Sequence, residues 1–406
     1  VPSLYENFGT DSFDSLYTQY ESDASIPRTT VNAQELILDL LKERAETGRI
    51  YIMNIDHCNS HSSFKDKVTM SNLCQEITLP TTPLQHIDDP EGEIALCILS
   101  AINVGTLRST GAELEELCDL SVRGLDALID FQGYPVKAAE IGTKNRRSLG
   151  VGYIGLAHYL AKHKVSYDDP TAWKLVHDLS EAFQYYLLKA SNKLAQEYGA
   201  CGYFDRTKYV DGTLPIDTYK KDVDEVVPND LSLDWGTLRE DILTHGLRNS
   251  TLSAQMPSES SSVVSNATNG IEPPRDYLST KKSKKGPLKQ IVPSYQSLKP
   301  HYTLLWDMQN NDGYVKVVAV MQKFFDQAIS GNWSYNPENY PDNEVPVSVM
   351  ANDLLTTYKL GWKTSYYQNT YDNKTDEVEE VKPQESSVDS LLDSLSQATE
   401  CDACAI

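Results

Sequence analysis

Positive charge is scarce in this chain: 36 lysines and arginines stand against 58 aspartates and glutamates, a formal net charge of −22. Sequence-independent nucleic-acid binding needs a basic surface, so that function is excluded. The one dense basic run, Lys281-Lys282-Ser283-Lys284-Lys285, stops at Gly286-Pro287 and reads as a solvated hairpin tip. Long apolar runs are missing too. No stretch approaches the roughly 18 apolar residues of a membrane span, and Val1-Pro2-Ser3-Leu4-Tyr5-Glu6 does not read as a signal peptide. Cysteines are few and odd in number, at positions 58, 74, 97, 118, 201, 401 and 404. That count argues against a disulfide-stapled framework and for reduced thiols in a cytoplasm. Aromatic residues stop at Tyr371. Residues 372–406 hold ten acidic residues and two lysines, Lys374 and Lys382, and are expected to form a flexible acidic tail with at most one short helical stretch at 388–395.

What remains is ordinary for a globular protein: 406 residues, 40% hydrophobic and 23% charged, enough for one large or two to three average domains. Residues 33–49 read as an amphipathic helix closed by Gly48, with Leu36, Leu38, Leu40 and Leu41 as its apolar positions. A loop rich in His, Ser and Asn follows from Asp56 to Ser71. The near-continuous apolar run from Glu93 to Ile102 predicts a strand buried on both faces. Residues 111–131 predict a helix with Leu114, Leu117, Leu120, Leu125, Leu128 and Ile129 on one side. Residues 149–164 and 170–198 predict a strand or helix start and then a long helix. Thr251 to Met256 and Thr364 to Asn369 predict short strands. Strands alternating with helices indicate an α/β architecture, without internal repeats.

Candidate chemistry gathers around Asn72-Leu73-Cys74-Gln75-Glu76. If that segment is extended, residues two apart share a face, and Asn72, Cys74 and Glu76 bring an amide, a thiol and a base to one volume. Cys97 lies 23 residues later, close enough for a returning loop to bring the two sulfurs together. Met256-Pro257-Ser258-Glu259-Ser260-Ser261-Ser262 follows a strand; it offers either an ordinary capping box or hydroxyls and free N–H groups that cradle a phosphate. Tyr366-Tyr367 are adjacent phenols in a chain of 24 tyrosines, either incidental or able to relay an electron and a proton. Cys401 and Cys404, spaced C-x-x-C on the tail, suit a shuttling dithiol. Gly150-Val151-Gly152-Tyr153-Ile154-Gly155 has the G-x-G-x-x-G spacing but follows a polar loop, so its glycines are read as close strand packing rather than dinucleotide binding.

Taken together these strings resemble the large catalytic subunit of class I, aerobic-type ribonucleotide reductase, over about residues 1–371 and again at the terminal cysteines. The resemblance rests on Asp56-His57-Cys58-Asn59, Ser71 to Ile77, Gly92 to Cys97, His245 to Thr251, Met256 to Glu259, Ser265 to Arg275 and Tyr366-Tyr367-Gln368-Asn369. It implies the second half of a ten-stranded α/β barrel with a central finger loop, plus a helical C-terminal region. Residues 1–60 would be a helical lead-in and the end of the first half-barrel; 61–371 the finger, second half-barrel and an inserted C-terminal domain; 372–406 the tail. By the same resemblance Cys74 carries the thiyl radical that takes the substrate's 3′ hydrogen. Glu76 is the base for the 3′-hydroxyl, Asn72 holds a ribose hydroxyl, and Cys97 is one of two thiols that reduce the 2′ carbon. Tyr367 and then Tyr366 pass the radical inward; Pro257, Ser258, Glu259, Ser260 and Ser261 hold the diphosphate. Cys401 and Cys404 re-reduce the site and exchange with thioredoxin or glutaredoxin, a reach that a leash of roughly 30 residues covers.

The resemblance also implies ribonucleoside diphosphate as substrate and a small (beta) subunit as partner. That partner holds the di-iron tyrosyl radical, while this chain binds no metal. The family's subunit is nearly twice this length. Its other half carries most of the dNTP and ATP effector binding, the first five strands and the partner thiol of Cys97. None of Cys58, Cys118 or Cys201 stands in a matching context, and each is read as structural. The expectation is therefore a C-terminal piece completed non-covalently by an N-terminal half. The alternative is a non-catalytic assembly fragment that binds the small subunit. A stand-alone dithiol oxidoreductase is disfavoured by the missing thioredoxin-like βαβ context.

Overall fold

The computed structural model of the protein describes residues 1–96, 98–283 and 286–372. Five extended segments run parallel and pair in chain order. Strand Ile98–Asn103 pairs with strand Leu149–Ile154 from end to end. A bridge from Val151 to Ser253 adds the segment 251–255, and a bridge from Gln255 to Ile329 adds the next. That fourth segment continues into strand Trp333–Tyr335, which pairs in parallel with strand Gln368–Thr370. Helices connect them: Ala112–Phe131 and Lys137–Arg146 after the first, Leu156–His163, Pro170–Tyr198 and Trp235–His245 after the second, Asp312–Gln322 before the fourth, and Val347–Lys359 before the fifth. This alternation makes the α/β architecture expected from the sequence. Among the described residues the run of strands is open, not closed into a ring, and no helix is long and apolar enough to cross a membrane.

The predicted helices over 111–131 and 170–198 form as Ala112–Phe131 and Pro170–Tyr198. Helix Ala33–Thr47 also forms, capped by the Asn32 side chain and ended by Gly48 at φ 69°. Its buried face takes only part of the leucine set: Leu41 and Arg44 are buried and Leu40 packs against the core, while Leu36 and Leu38 are exposed. In Ala112–Phe131 the buried face runs through Leu114, Cys118, Val122, Leu125 and Ile129, and Leu120 and Leu128 face outward. The loop expected over Asp56–Ser71 begins inside a short helix, Ile55–Ser60.

The apolar run from Glu93 does not form one strand. Glu93 instead pairs with Thr82, and its carboxylate takes hydrogen bonds from Arg146 at 2.7 and 3.0 Å and from Arg206 at 3.2 Å. That ion network holds Glu93 out of the ladder that Ile98–Asn103 joins. Nor is the strand buried on both faces, because it is the outermost of the five and Leu99 is 41% exposed. Strand Leu149–Ile154, one place inward, is buried at every residue.

Close strand packing explains the glycines. A Cβ on Gly152 would stand 2.7 Å from the Ala254 carbonyl oxygen, so this position admits no side chain. Where the third and fourth segments diverge, polar side chains replace backbone bonds. The Asp326 carboxylate accepts from the N–H groups of Leu252 and Ser253 at 2.9 and 2.8 Å and from the Tyr209 hydroxyl at 2.8 Å. Gln255 accepts from the Tyr153 N–H and donates to its carbonyl. Lys281 to Ser283 do lie in a hairpin, Leu278–Ser283 against Gly286–Ile291, with Ser283 facing Gly286; Lys284 and Lys285 lie outside the described residues. Gly152→Ala is expected to wedge the second and third segments apart and lower stability by about 1–3 kcal/mol, read as a fall in the midpoint of thermal unfolding.

Candidate active site: a thiol, a buried carboxylate and a phenol cluster

Residues 71–80 form a loop laid along the fourth segment. Its tip is a turn rather than an extended strand: the Asn72 carbonyl accepts from the Gln75 N–H at 3.1 Å, and Gln75 takes φ 69°. Asn72, Cys74 and Glu76 are therefore grouped by a turn, not by strand alternation. The Asn72 side-chain oxygen accepts from the Ile77 N–H at 3.1 Å, and the Ser71 hydroxyl donates to the Ile77 carbonyl at 2.8 Å. These bonds close the loop on itself. Ile77 and Leu79 then anchor its stem in a small apolar cluster with Phe64, Val68 and Ala254.

The fourth segment docks the tip. Ala328 N–H donates to the Glu76 carbonyl at 3.0 Å, and the Ser330 hydroxyl reaches both the Cys74 carbonyl and, at 3.2 Å, the Glu76 carboxylate. Glu76 is buried, and loss of water pushes its carboxyl above the usual range, partly opposed by hydrogen bonds from Asn72 and Ser330. A carboxyl raised toward neutral pH is suited to exchange protons with a hydroxyl. Cys74 itself is half-buried.

The tyrosine pair meets this thiol. The Tyr366 hydroxyl donates to Cys74 Sγ at 3.5 Å. The rings of Tyr366 and Tyr367 lie 4.1 Å apart between centroids. Tyr51 completes a cluster, 4.8 Å from Tyr366 and 5.6 Å from Tyr367. Exposure falls along the path, from 37% at Tyr367 to 4% at Tyr366. Burial and hydrogen bonds to Tyr367 and Cys74 push the Tyr366 phenol up, whereas hydrogen bonds from Tyr366 and Tyr51 pull the Tyr367 phenol down. The expected strand over 364–369 is interrupted at the pair: Thr364–Ser365 joins Ile52–Met53 antiparallel, and Gln368–Thr370 joins Trp333–Tyr335. That break turns two consecutive side chains toward one cluster.

Pro257 to Ser261 lie just beyond the segment 251–255, next to the segment that docks the loop. Ser258 precedes a short helix, Glu259–Val264, with no side-chain cap, so the capping-box alternative does not form. Ser258 is buried, and Glu259, Ser260 and Ser261 are exposed. Cys97, Cys401 and Cys404 lie outside the described residues. Cys58, Cys118 and Cys201 are buried, and lost hydration pushes each thiol up, Cys58 and Cys201 to about 12. They are inert packing residues. His177, Asp178 and Glu181 are the metal-type cluster among the described residues. Ser232, Leu233 and Trp235 already occupy the Glu181 oxygens, and Lys323 Nζ stands 3.4 Å from His177 Nε2. That donor set does not fit a cation.

Sequence reasoning missed Tyr51, Arg44 and Ser330. None sits in a motif with the residues it serves, and Tyr51 precedes the thiol by 23 positions with only Arg49-Ile50 before it.

Comparison with known proteins defines the class. Residues 1–368 match the model of the ribonucleotide reductase barrel domain, and the chain belongs to that family. It is 57% identical over 386 residues to the ribonucleoside-diphosphate reductase subunit alpha of Haemophilus influenzae, covering 94% of this chain and 51% of that one. The ribonucleoside-diphosphate reductase 1 subunit alpha of Escherichia coli is 55% identical over 388 residues, 94% of this chain and 51% of that one, and the ribonucleoside-diphosphate reductase subunit alpha of enterobacteria phage T4 is 42% identical over 380, 92% and 50%. The chain spans about half the length of these relatives.

The raised Glu76 carboxyl has a consequence for stability. In the unfolded chain a Glu ionises near pH 4.3; in the fold it holds its proton to higher pH. The burial penalty is thus absent below the unfolded value and complete above the folded one. Glu76→Gln should therefore raise the thermal midpoint relative to the parent chain more at pH 8 than at pH 5.

Proposed function

We propose that this chain is the catalytic second half of a ribonucleoside-diphosphate reductase alpha subunit. Its five parallel segments would be half of a ten-stranded barrel, and residues 71–80 the finger that carries the reactive thiol through it. The observation that carries this reading is the contact between the Tyr366 hydroxyl and Cys74 Sγ, backed by the Tyr367 ring. A phenol and a thiol at 3.5 Å share one hydrogen, so a phenoxyl at Tyr366 can be quenched by hydrogen transfer from Cys74, leaving the sulfur radical. That radical takes the 3′ hydrogen of a ribose. Glu76 accepts the 3′-hydroxyl proton, and Asn72 holds the sugar.

Cys97, with a thiol from the other half of the subunit, would supply the two electrons that replace the 2′-hydroxyl. Pro257 to Ser261 would receive the diphosphate, with the Ser258, Ser260 and Ser261 hydroxyls as neutral donors. Cys401 and Cys404 would return the site to the dithiol state and exchange with thioredoxin or glutaredoxin. The oxidising equivalent enters from a small subunit that holds the di-iron tyrosyl radical, and dNTP or ATP effectors act mainly on the other half. Inert, reduced Cys58, Cys118 and Cys201 suit a cytoplasmic setting. The open edge of strand Ile98–Asn103, with Leu99 exposed, supports completion by further strands, since an unpaired apolar edge invites aggregation.

The test reconstitutes the chain with the remaining half of the subunit and the small subunit and measures deoxynucleotide formation. Cys74→Ser, Tyr366→Phe and Tyr367→Phe should each abolish product while small-subunit binding, read by ultracentrifugation, persists. Product from the Cys74→Ser mixture would overturn the assignment. Binding without turnover by the parent chain would favour the assembly-fragment reading instead.

A further inference from the structure

Arg44, like Lys363, is a fully buried cation held by main-chain carbonyls. It is fully buried in helix Ala33–Thr47, and no carboxylate pairs with it among the described residues. Desolvation pulls its guanidinium down only to about 10, so it remains a cation at neutral pH. Its partners are three main-chain carbonyls: Ile50, Tyr366 at 2.9 Å and Tyr367 at 3.3 Å. The guanidinium also lies 4.6 Å from the centre of the Trp333 ring. These carbonyls belong to the residue just before Tyr51 and to both members of the tyrosine pair, so one cation grips the backbone beneath all three phenols.

We propose that Arg44 is the positioning residue of this cluster, setting the ring spacing through which an electron and proton pass to Cys74. The inference rests on the relay reading above. Residues 366 and 367 lie where the chain leaves one strand partner for another: the Tyr366 N–H donates to the Gly331 carbonyl at 2.7 Å and the Tyr367 carbonyl accepts from the Trp333 N–H at 2.9 Å, but the Tyr367 N–H meets the Asn332 side chain rather than a strand carbonyl. A planar fork of five donors can hold carbonyls from two chain segments at fixed angles, which an ammonium on a flexible stem cannot. An unpaired buried cation is costly. Here the carbonyl dipoles and the Trp333 face offset that cost.

The test uses the full chain with 3-fluorotyrosine at position 367, followed by fluorine NMR and by turnover in the reconstituted complex. Arg44→Lys keeps the charge and loses the fork; Arg44→Met loses both. Both variants should shift or split the fluorine line. Both should lower kcat on the order of 10²-fold, the loss that an ångström of misplacement produces, with substrate KM unchanged. An unmoved line and unmoved kcat in Arg44→Lys would overturn the proposal, as would a KM rise equal to the kcat loss. If Arg44→Met fails to fold, Arg44→Lys decides. If the parent complex does not turn over, the relay reading fails by itself, while the fluorine line still reports whether Arg44 places the phenols.

Discussion

The hydrogen bond from Ala328 N–H to the Glu76 carbonyl is where the scaffold and the chemistry meet. Segment 327–335 pairs with 253–255 near its start and with 366–370 near its end, and between them it docks the loop that bears the thiol. A loop tip held by its own turn alone would sample many conformations. Pairing it to a segment that is itself bound on both sides transfers the rigidity of the sheet to Cys74. The Ser330 hydroxyl adds a second attachment two residues on. Both active-site edges, thiol and phenol, are thus measured from one piece of backbone.

Buried cations reinforce the same frame. Lys363 is fully buried and donates to the carbonyls of Phe325, Asp326 and Gln327 at 2.9–3.3 Å. Loss of hydration pulls its ammonium down to about 7. Three ammonium hydrogens meeting three carbonyls leave no donor unsatisfied. Lys363 stands three residues before Tyr366, and its carbonyl partners stand just before Ala328. It therefore joins the strand that carries the phenols to the segment that docks the loop. Arg44 makes the equivalent join from the far side of the tyrosine pair. Neither cation touches the thiol, and both act through backbone carbonyls.

The fold was largely legible in the sequence because its elements are marked locally. Asn32 and Gly48 bracket one helix, and a continuous apolar hexad at 149–154 marks the second strand. Boundaries failed where a distant partner decides them. Glu93 belongs by pattern to the strand, but Arg146 and Arg206 hold it elsewhere. Of the leucines of 33–47, Leu40 and Leu41 do face the core, but Leu36 and Leu38 do not, because a guanidinium, an unpromising core residue, takes the rest of that face. In the site, Asn72, Cys74 and Glu76 were grouped for the wrong reason: their grouping follows from a left-handed Gln75, which no residue spacing announces. Tyr51 and Ser330 come from separate segments: the antiparallel pairing of Ile52–Met53 with Thr364–Ser365 brings in the first, and the parallel ladder the second.

Directionality is the last step that the geometry supports. On the relay reading, the outer phenol is partly solvated and accepts a hydrogen bond from Tyr51, which favours loss of its proton. The inner phenol is buried and gives its hydrogen toward sulfur, which disfavours a bare phenolate. Loss of a proton alone at Tyr366 would leave an anion in a buried site, and loss of an electron alone would leave a positive charge near a cation, Arg44. Moving both together to or from Cys74 avoids that charge. On that reading, the same burial that raises the Tyr366 phenol favours hydrogen-atom transfer over stepwise ionisation, at the phenol whose hydroxyl meets the thiol.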